Sequence, residues 1–315
     1  MNISYTAPAK LILSGEYSVC YGYPAIGIPF PLYLKTIWKY NDKDLFIINN
    51  KTYSYEQINN IAKNILLRDS SDRLIIFTIY SLIKKFNCNI SSISLNIESD
   101  IPLSYGLGSS SALIYSIVNS FNQHYKWNLN KQDVINYSRE IEHFQHGKSS
   151  GLDLSIISSN SPILFQTNPY ICKILDINIP RIYIVFSGTS KNSTLECVNH
   201  VKNLNMKENF WKKFSIITLK MKKSLMKFCS KSFFDSIKKN HRLIMMLGVV
   251  PKLVSNFIEE CEKIGGAAKI CGAGAISNDN AGVIMVYFMN NESKNFEALC
   301  KKYNYEFKYF TFYQS

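Results

Sequence analysis

The chain has 315 residues, 46% of them apolar and 19% charged. That balance suits one large or two modest folded domains and excludes wholesale disorder. The formal net charge of +13 raises nucleic acid, an acidic membrane surface or anionic small substrates, but the lysines are dispersed and form no basic tail, so composition accounts for the excess and no nucleic-acid or membrane partner is expected.

Cys20, Cys88, Cys172, Cys197, Cys229, Cys261, Cys271 and Cys300 form no Cys-x-x-Cys pair. Their wide spacing argues against a zinc site and against a disulfide framework. The N-terminus shows no charged region followed by an apolar run. The longest apolar-rich stretch, residues 73–83, is too short to span a bilayer. A reducing cytoplasm is the expected compartment.

In chain order, residues 25–38 (AIGIPFPLYLKTIW) are rich in strand formers. Residues 70–86 have helical spacing, with Ile75, Ile79, Leu82 and Phe86 on one stripe. Residues 92–98 alternate apolar and polar side chains as a half-buried strand does. Helices follow near 109–125 and 131–146, the second capped by Asn130 with Asp133 in its first turn. Residues 181–187 read as a buried strand, and 194–264 as a helical region broken near Gly248 and Pro251. The last part reads as strand 267–271, glycine turn, strand 282–288, helix 292–303 and strand 306–313. Strands and helices in both halves predict an α+β fold of two domains, 1–180 and 181–315. The basic amphipathic stretch 211–232 reads as a solvated helix face whose lysine stems cover apolar neighbours, with a membrane surface or RNA as the alternatives.

Four segments carry chemistry. Residues 102–112, Pro-Leu-Ser-Tyr-Gly-Leu-Gly-Ser-Ser-Ser-Ala, lie between a strand and a helix. Gly106 and Gly108 permit tight turning, and free N–H groups at the helix start form an anion site. No Gly-Lys-Ser/Thr follows, so this is not a Walker loop. A Gly-Ser turn alone fits a plain connection equally well. In the second segment, Glu142 and Asp153 flank a stretch with two serines, a set that suits a hard cation and a reacting hydroxyl. His143 and His146 have no third ligand nearby and read as structural. Lys10 sits between a proline turn and an apolar run, where it is either an exposed strand-end lysine or a partly buried, paired one. Residues 269–282 form a glycine turn that either floors a pocket or joins two strands.

Together these segments resemble the GHMP kinases. Ala7-Pro8-Ala9-Lys10 with Gly15-Glu16-Tyr17, then Pro102 to Ala112, then Lys269 to Gly282 match the family's three motifs in order. The acidic segment from Glu142 to Asp153 is similar to that of the mevalonate kinases within it. The resemblance implies a two-domain GHMP kinase fold, with a ribosomal protein S5 domain 2-like N-terminal part, a ferredoxin-like C-terminal sandwich and an active site in the cleft between them. It implies ATP and Mg²⁺ with a small-molecule alcohol, mevalonate or a relative, and leaves a homodimer open.

Carried over, Asp153 is the catalytic carboxylate and Lys10 stands beside it and the attacking hydroxyl. Glu142 and Ser110 hold Mg²⁺. The stretch Gly106, Leu107, Gly108, Ser109, Ser110 and Ser111 holds the phosphates. Glu16, Tyr17, Thr194, Gly272, Ala273 and Gly274 border the substrate. Three positions depart from the pattern. Tyr17 replaces the histidine usual in mevalonate kinases, Ala9 replaces a commoner glycine, and Ala275 to Asn280 replace further glycines. The alternatives are a phosphomevalonate kinase or another sugar or polyol kinase, a catalytically inactive metabolite sensor, and, on charge alone, an RNA-binding protein.

Overall fold

Strands β1 (Ile3–Ser14) and β2 (Ala25–Tyr40) open the chain and pair with one another. The computed structural model describes residues 3–41, 46–63, 71–90, 92–146, 149–290 and 294–312. Contacts divide the chain into two interleaved units. The first comprises Met1–Ala9, Phe30–Pro102 and Gly108–Ser158; the second comprises Lys10–Pro29, Leu103–Leu107 and Ser159–Ser315. Both β1 and β2 therefore contribute residues to each unit.

The first unit continues with β3 (Phe46–Ile48), β4 (Lys51–Tyr53), α1 (Tyr55–Lys63), α2 (Ser71–Phe86), β5 (Ile93–Ser99), α3 (Ser109–Tyr125), α4 (Lys131–His146) and α5 (Leu152–Ser159). Its sheet runs β4-β3-β5-β2, with β3 and β5 parallel and the other pairs antiparallel. The helical stripe expected from the sequence is the buried one: Ile75, Ile79 and Leu82 lie inside. Asn130 caps α4 as expected, its Oδ1 accepting from the Asp133 N–H at 3.0 Å while Asp133 Oδ2 accepts from the Asn130 N–H at 3.2 Å. The three-residue strands β3 and β4 are too brief to show a period, and α1, which buries Ile58 and Ala62, is absent from the sequence reading as well.

The second unit holds β6 (Ile163–Gln166), β7 (Ile171–Ile174), β8 (Ile179–Phe186), α6 (Thr194–Asn203), α7 (Glu208–Met226), α8 (Ser230–Met245), α9 (Lys252–Lys263), β9 (Gly266–Cys271), β10 (Val283–Phe288), α10 (Lys294–Lys302) and β11 (Glu306–Phe312). Ala25–Gly27 of β2 pair with β6, which pairs with β7. A separate antiparallel sheet runs β11-β8-β10-β9. Every residue of β9 and β10 is buried, and α8 and α9 pack on β9. Their core gathers Tyr183, Phe257, Ile258, Ile284, Phe288 and Phe296.

Two expectations are corrected. Pro8 is not in a turn; it lies inside β1, which among the described residues pairs only with β2, and an edge strand tolerates a residue without an N–H. The stretch 211–232 is not one helix: α7 stops at Met226 and α8 starts at Ser230, with Phe228 at φ +55° between them. Neither glycine nor proline marks that break, so the sequence gives no warning of it. Among the described residues no helix is long and apolar enough to cross a membrane.

Candidate active site

In the first unit, α3 begins at Ser109 behind Gly108, which takes φ +75° and offers no side-chain cap. A residue with a Cβ would be strained there. The helix α6 makes a useful contrast. Ser193 accepts from the Glu196 N–H while Glu196 accepts from the Ser193 N–H, a closed capping box. No side chain closes the start of α3 in this way, and its N-terminal amides carry the positive end of the helix dipole. Ser109 and Ser110 stand half-buried at this tip, whereas Ser111 is buried.

Ser111 connects the tip to the acidic segment. Its hydroxyl donates to Glu142 Oε1, and the Ser149 hydroxyl donates to Oε2 of the same carboxylate. Glu142 is only 5% exposed, so two hydroxyl donors compensate much of what its carboxylate loses by leaving water. The hydroxyl bonded to Glu142 is thus Ser111's, although the resemblance assigns the metal to Ser110. Ser149 was not singled out from the sequence; its place between two carboxylates was the available signal.

Ser149 Oγ also accepts from the Gly151 N–H at 3.1 Å, and Ser150 Oγ accepts from the Leu152 N–H at 3.3 Å, so the two serines shape the entry to α5. Asp153 follows a turn at Gly151, which takes φ +81°. It occupies the first turn of α5 and is half-buried, where the helix dipole favours a carboxylate. Gly147 and Lys148 of this segment lie outside the described residues, as does the His146 side chain; His143 is exposed.

Within the second unit the other motifs meet through backbone. Lys10 is inside β1 and 3% exposed, so the buried alternative holds. Its N–H donates to the Leu107 carbonyl at 3.0 Å. On the other side of the same loop, Ser190 N–H donates to the Ser104 carbonyl at 3.2 Å, and Val283 N–H donates to that of Tyr105 at 3.2 Å. Gly106 presses on the third motif: a Cβ there would sit 2.8 Å from the Cys271 carbonyl oxygen. Only glycine allows so close an approach. Residues 104–107 therefore lie between the first motif and the third.

The third-motif loop is held by side chains as well. Tyr17 is 2% exposed and its hydroxyl donates to the Ala273 carbonyl. Burial, with Cys197 and Glu16 nearby, raises its pKa well above the usual tyrosine value. Ser190 Oγ donates to the Gly274 carbonyl at 3.0 Å. Lys269 of β9 forms a salt bridge with Glu16, with side chains 0% and 1% exposed. Burial opposes the Lys269 charge, but Cys271 and Glu16 outweigh it and hold the ammonium above the ordinary lysine range. Burial raises the Cys271 thiol despite the pull of Lys269. Thr194 is exposed at the first residue of α6. The sequence reading quoted Lys269 without a role, though a lysine inside the wholly buried strand GAAKIC is a signal in itself.

Among the described residues no three His, Cys, Asp or Glu gather as a metal site. The Glu142 carboxylate with serine hydroxyls is an all-oxygen set, which fits Mg²⁺: that ion keeps several waters and needs only one or two protein carboxylates beside substrate phosphates.

Residues 73–160 match the model of the GHMP kinases N terminal domain. A curated mevalonate kinase of Methanocaldococcus jannaschii is 27% identical over 310 residues, 95% of each chain. One from Archaeoglobus fulgidus is 26% identical over 275 residues, 85% of this chain and 88% of its own. The crystal structure of the Methanococcus jannaschii mevalonate kinase matches with a TM-score of 0.81 at 22% identity, covering 100% of this chain and 99% of that one. A Streptococcus pneumoniae phosphomevalonate kinase, in complex with phosphomevalonate and AMPPNP, matches at 0.77 with 15% identity, covering 98% and 100%. The chain therefore carries a match to the GHMP kinases N terminal domain over residues 73–160, and it is similar over most of its length to curated mevalonate kinases and to their fold.

Proposed function

We propose that this chain transfers the γ-phosphoryl group of ATP to the primary hydroxyl of a small alcohol, with mevalonate as the acceptor. The observation that carries the reading is the helix tip at Ser109 with the Glu142 carboxylate bonded to Ser111 behind it. An anion site whose first-turn Ser111 is bonded to a carboxylate from α4 suits a nucleotide triphosphate with its metal. Similarity to curated mevalonate kinases across most of the chain supports the acceptor.

In this reading the amides and hydroxyls of residues 106–111 bind the phosphates, and Glu142 with Ser110 would hold Mg²⁺, which neutralises phosphate charge when bound. The acceptor hydroxyl attacks the γ-phosphorus. A new P–O bond forms, the bond to the bridging oxygen breaks, ADP leaves, and Asp153 takes the hydroxyl proton. Lys10 stabilises negative charge on the reacting oxygens. The transition state is loose, so positioning and charge neutralisation dominate over early deprotonation.

Phosphomevalonate as acceptor is the second reading, favoured by Tyr17 in place of histidine and by the likeness to the phosphomevalonate kinase fold. An ADP-release assay with mevalonate, 5-phosphomevalonate, homoserine and galactose in parallel separates the readings. Mevalonate is expected to give the highest kcat/KM. Preference for any of the other three overturns the acceptor, and no release with all four overturns the kinase reading.

A further inference from the structure

Two ionic side chains of the second unit are sealed from solvent, and the chemistry above uses neither. Lys269 Nζ donates to Glu16 Oε1, and lies 3.5 Å from the Ile12 carbonyl oxygen and 3.6 Å from Cys271 Sγ. Glu16 Oε2 is buried and has no hydrogen-bond partner among the described residues. This is an expensive arrangement. Desolvating two charges is rarely repaid by their attraction, and an unsatisfied carboxylate oxygen adds to the deficit. An apolar pair of the same volume would hold the core as well or better. The pair does join the two segments that carry it, and a lone charge left by the loss of either partner would drive them out of that register.

Those segments are motif segments. Glu16 lies between Gly15 and Tyr17, and Tyr17 reaches the Ala273 carbonyl. Lys269 lies two residues before Cys271, whose carbonyl meets Gly106. One pair thus fixes the turn at 15–17 and the loop at 271–274 relative to the phosphate loop.

We propose that Lys269 and Glu16 are a positioning pair for the loop at 271–274, which borders the acceptor in the kinase reading, and that Glu16 acts through Lys269 without touching the acceptor. The proposal rests on the kinase reading and replaces the direct substrate contact that the family resemblance implies for Glu16. Removing one charge strands the other in the core, whereas removing both leaves a neutral pair that the same backbone can hold.

The test uses the full chain, with Glu16→Gln, Lys269→Met and the double variant. ADP release is measured against acceptor and ATP separately, and unfolding midpoints are taken for all four proteins. Each single variant is expected to raise the acceptor KM about 10-fold or more with the ATP KM within about 2-fold, and the double to return within about 3-fold of the parent. A double variant no better than Glu16→Gln alone overturns the proposal, because a lost acceptor contact is not restored by a second change. If the single variants fail to fold, a folded and active double supports the pair, and a double that also fails to fold overturns it. If the parent releases no ADP with any acceptor, the kinase reading fails separately. The midpoints then decide the pair: additive losses overturn it, and a double more stable than either single supports it.

Discussion

The two units treat their polar groups differently. In the first, Ser109, Ser110 and Asp153 stand half-buried in the first turns of α3 and α5. Glu142 is more enclosed, but hydroxyls satisfy both its oxygens. In the second, Glu16 and Lys269 are closed off from solvent and one carboxylate oxygen is left over. The half-buried groups remain within reach of a ligand, while the sealed groups hold backbone in place. A motif residue can therefore be prominent in sequence for either reason, and burial separates them. Substitutions of the half-buried groups in the first unit should damage activity with little loss of stability, and substitutions of sealed groups in the second should do the reverse or act on both.

The largest effect tests the second unit's core. Phe257→Ala removes a ring from the centre of the aromatic cluster and is expected to lower stability by about 3–5 kcal/mol in urea unfolding. A loss under about 1 kcal/mol would place Phe257 outside the packed core.

Asp153→Asn should break the comparison from the other side. Turnover is expected to fall at least about 100-fold, with ATP affinity and unfolding midpoint nearly unchanged. Near-parental rates in the ADP-release assay would remove Asp153 from the chemistry.

Ser110→Ala and Ser111→Ala sharpen the contrast within one helix turn. Ser111 holds a buried carboxylate, so its loss should lower stability by about 1–3 kcal/mol. Ser110 makes its expected contribution to the metal, so its loss should raise the Mg²⁺ concentration needed for half-maximal rate several-fold while leaving the midpoint in place. Swapped outcomes would assign the metal to Ser111.

The smallest effect at neutral pH concerns His241, buried on α8 with neither ring nitrogen hydrogen-bonded among the described residues. Burial, then Arg242 and Lys269, push its pKa from the ordinary 6.5 down to about 3. Between those values the unfolded chain binds the proton and the folded chain does not. Stability is therefore intact above about pH 6.5 and falls as the solution becomes more acidic, down to about pH 3. Replacing His241 with Gln should lessen that acid-side slope by about 1 kcal/mol per pH unit. An unchanged slope would show that His241 is charged in the fold or accessible to water.

Much of the local structure was legible. The stripe Ile75, Ile79, Leu82 gave α2, the alternation in 92–98 gave β5, and Asn130 with Asp133 gave the start of α4. The order of the motifs pointed to the GHMP kinases, and the model of their N terminal domain matches residues 73–160. Less legible were β3, β4 and α1, the helix that places Asp153 in a first turn, and the break at Phe228. Side-chain partners were least legible of all. Lys10 could be read as exposed or buried, and Lys269 carried no visible role although its partner belongs to a motif already quoted.

What the sequence determined by itself was short-range: period, capping and turn chemistry act over a few residues, and each is written in those residues. Tertiary structure decided the rest. Glu16 and Lys269 are 253 positions apart, and only the packing of β9 beneath α8 and α9 brings such groups together and excludes the water that would otherwise screen them. The meaning of a charge depends on that exclusion, and no local pattern in the chain encodes it.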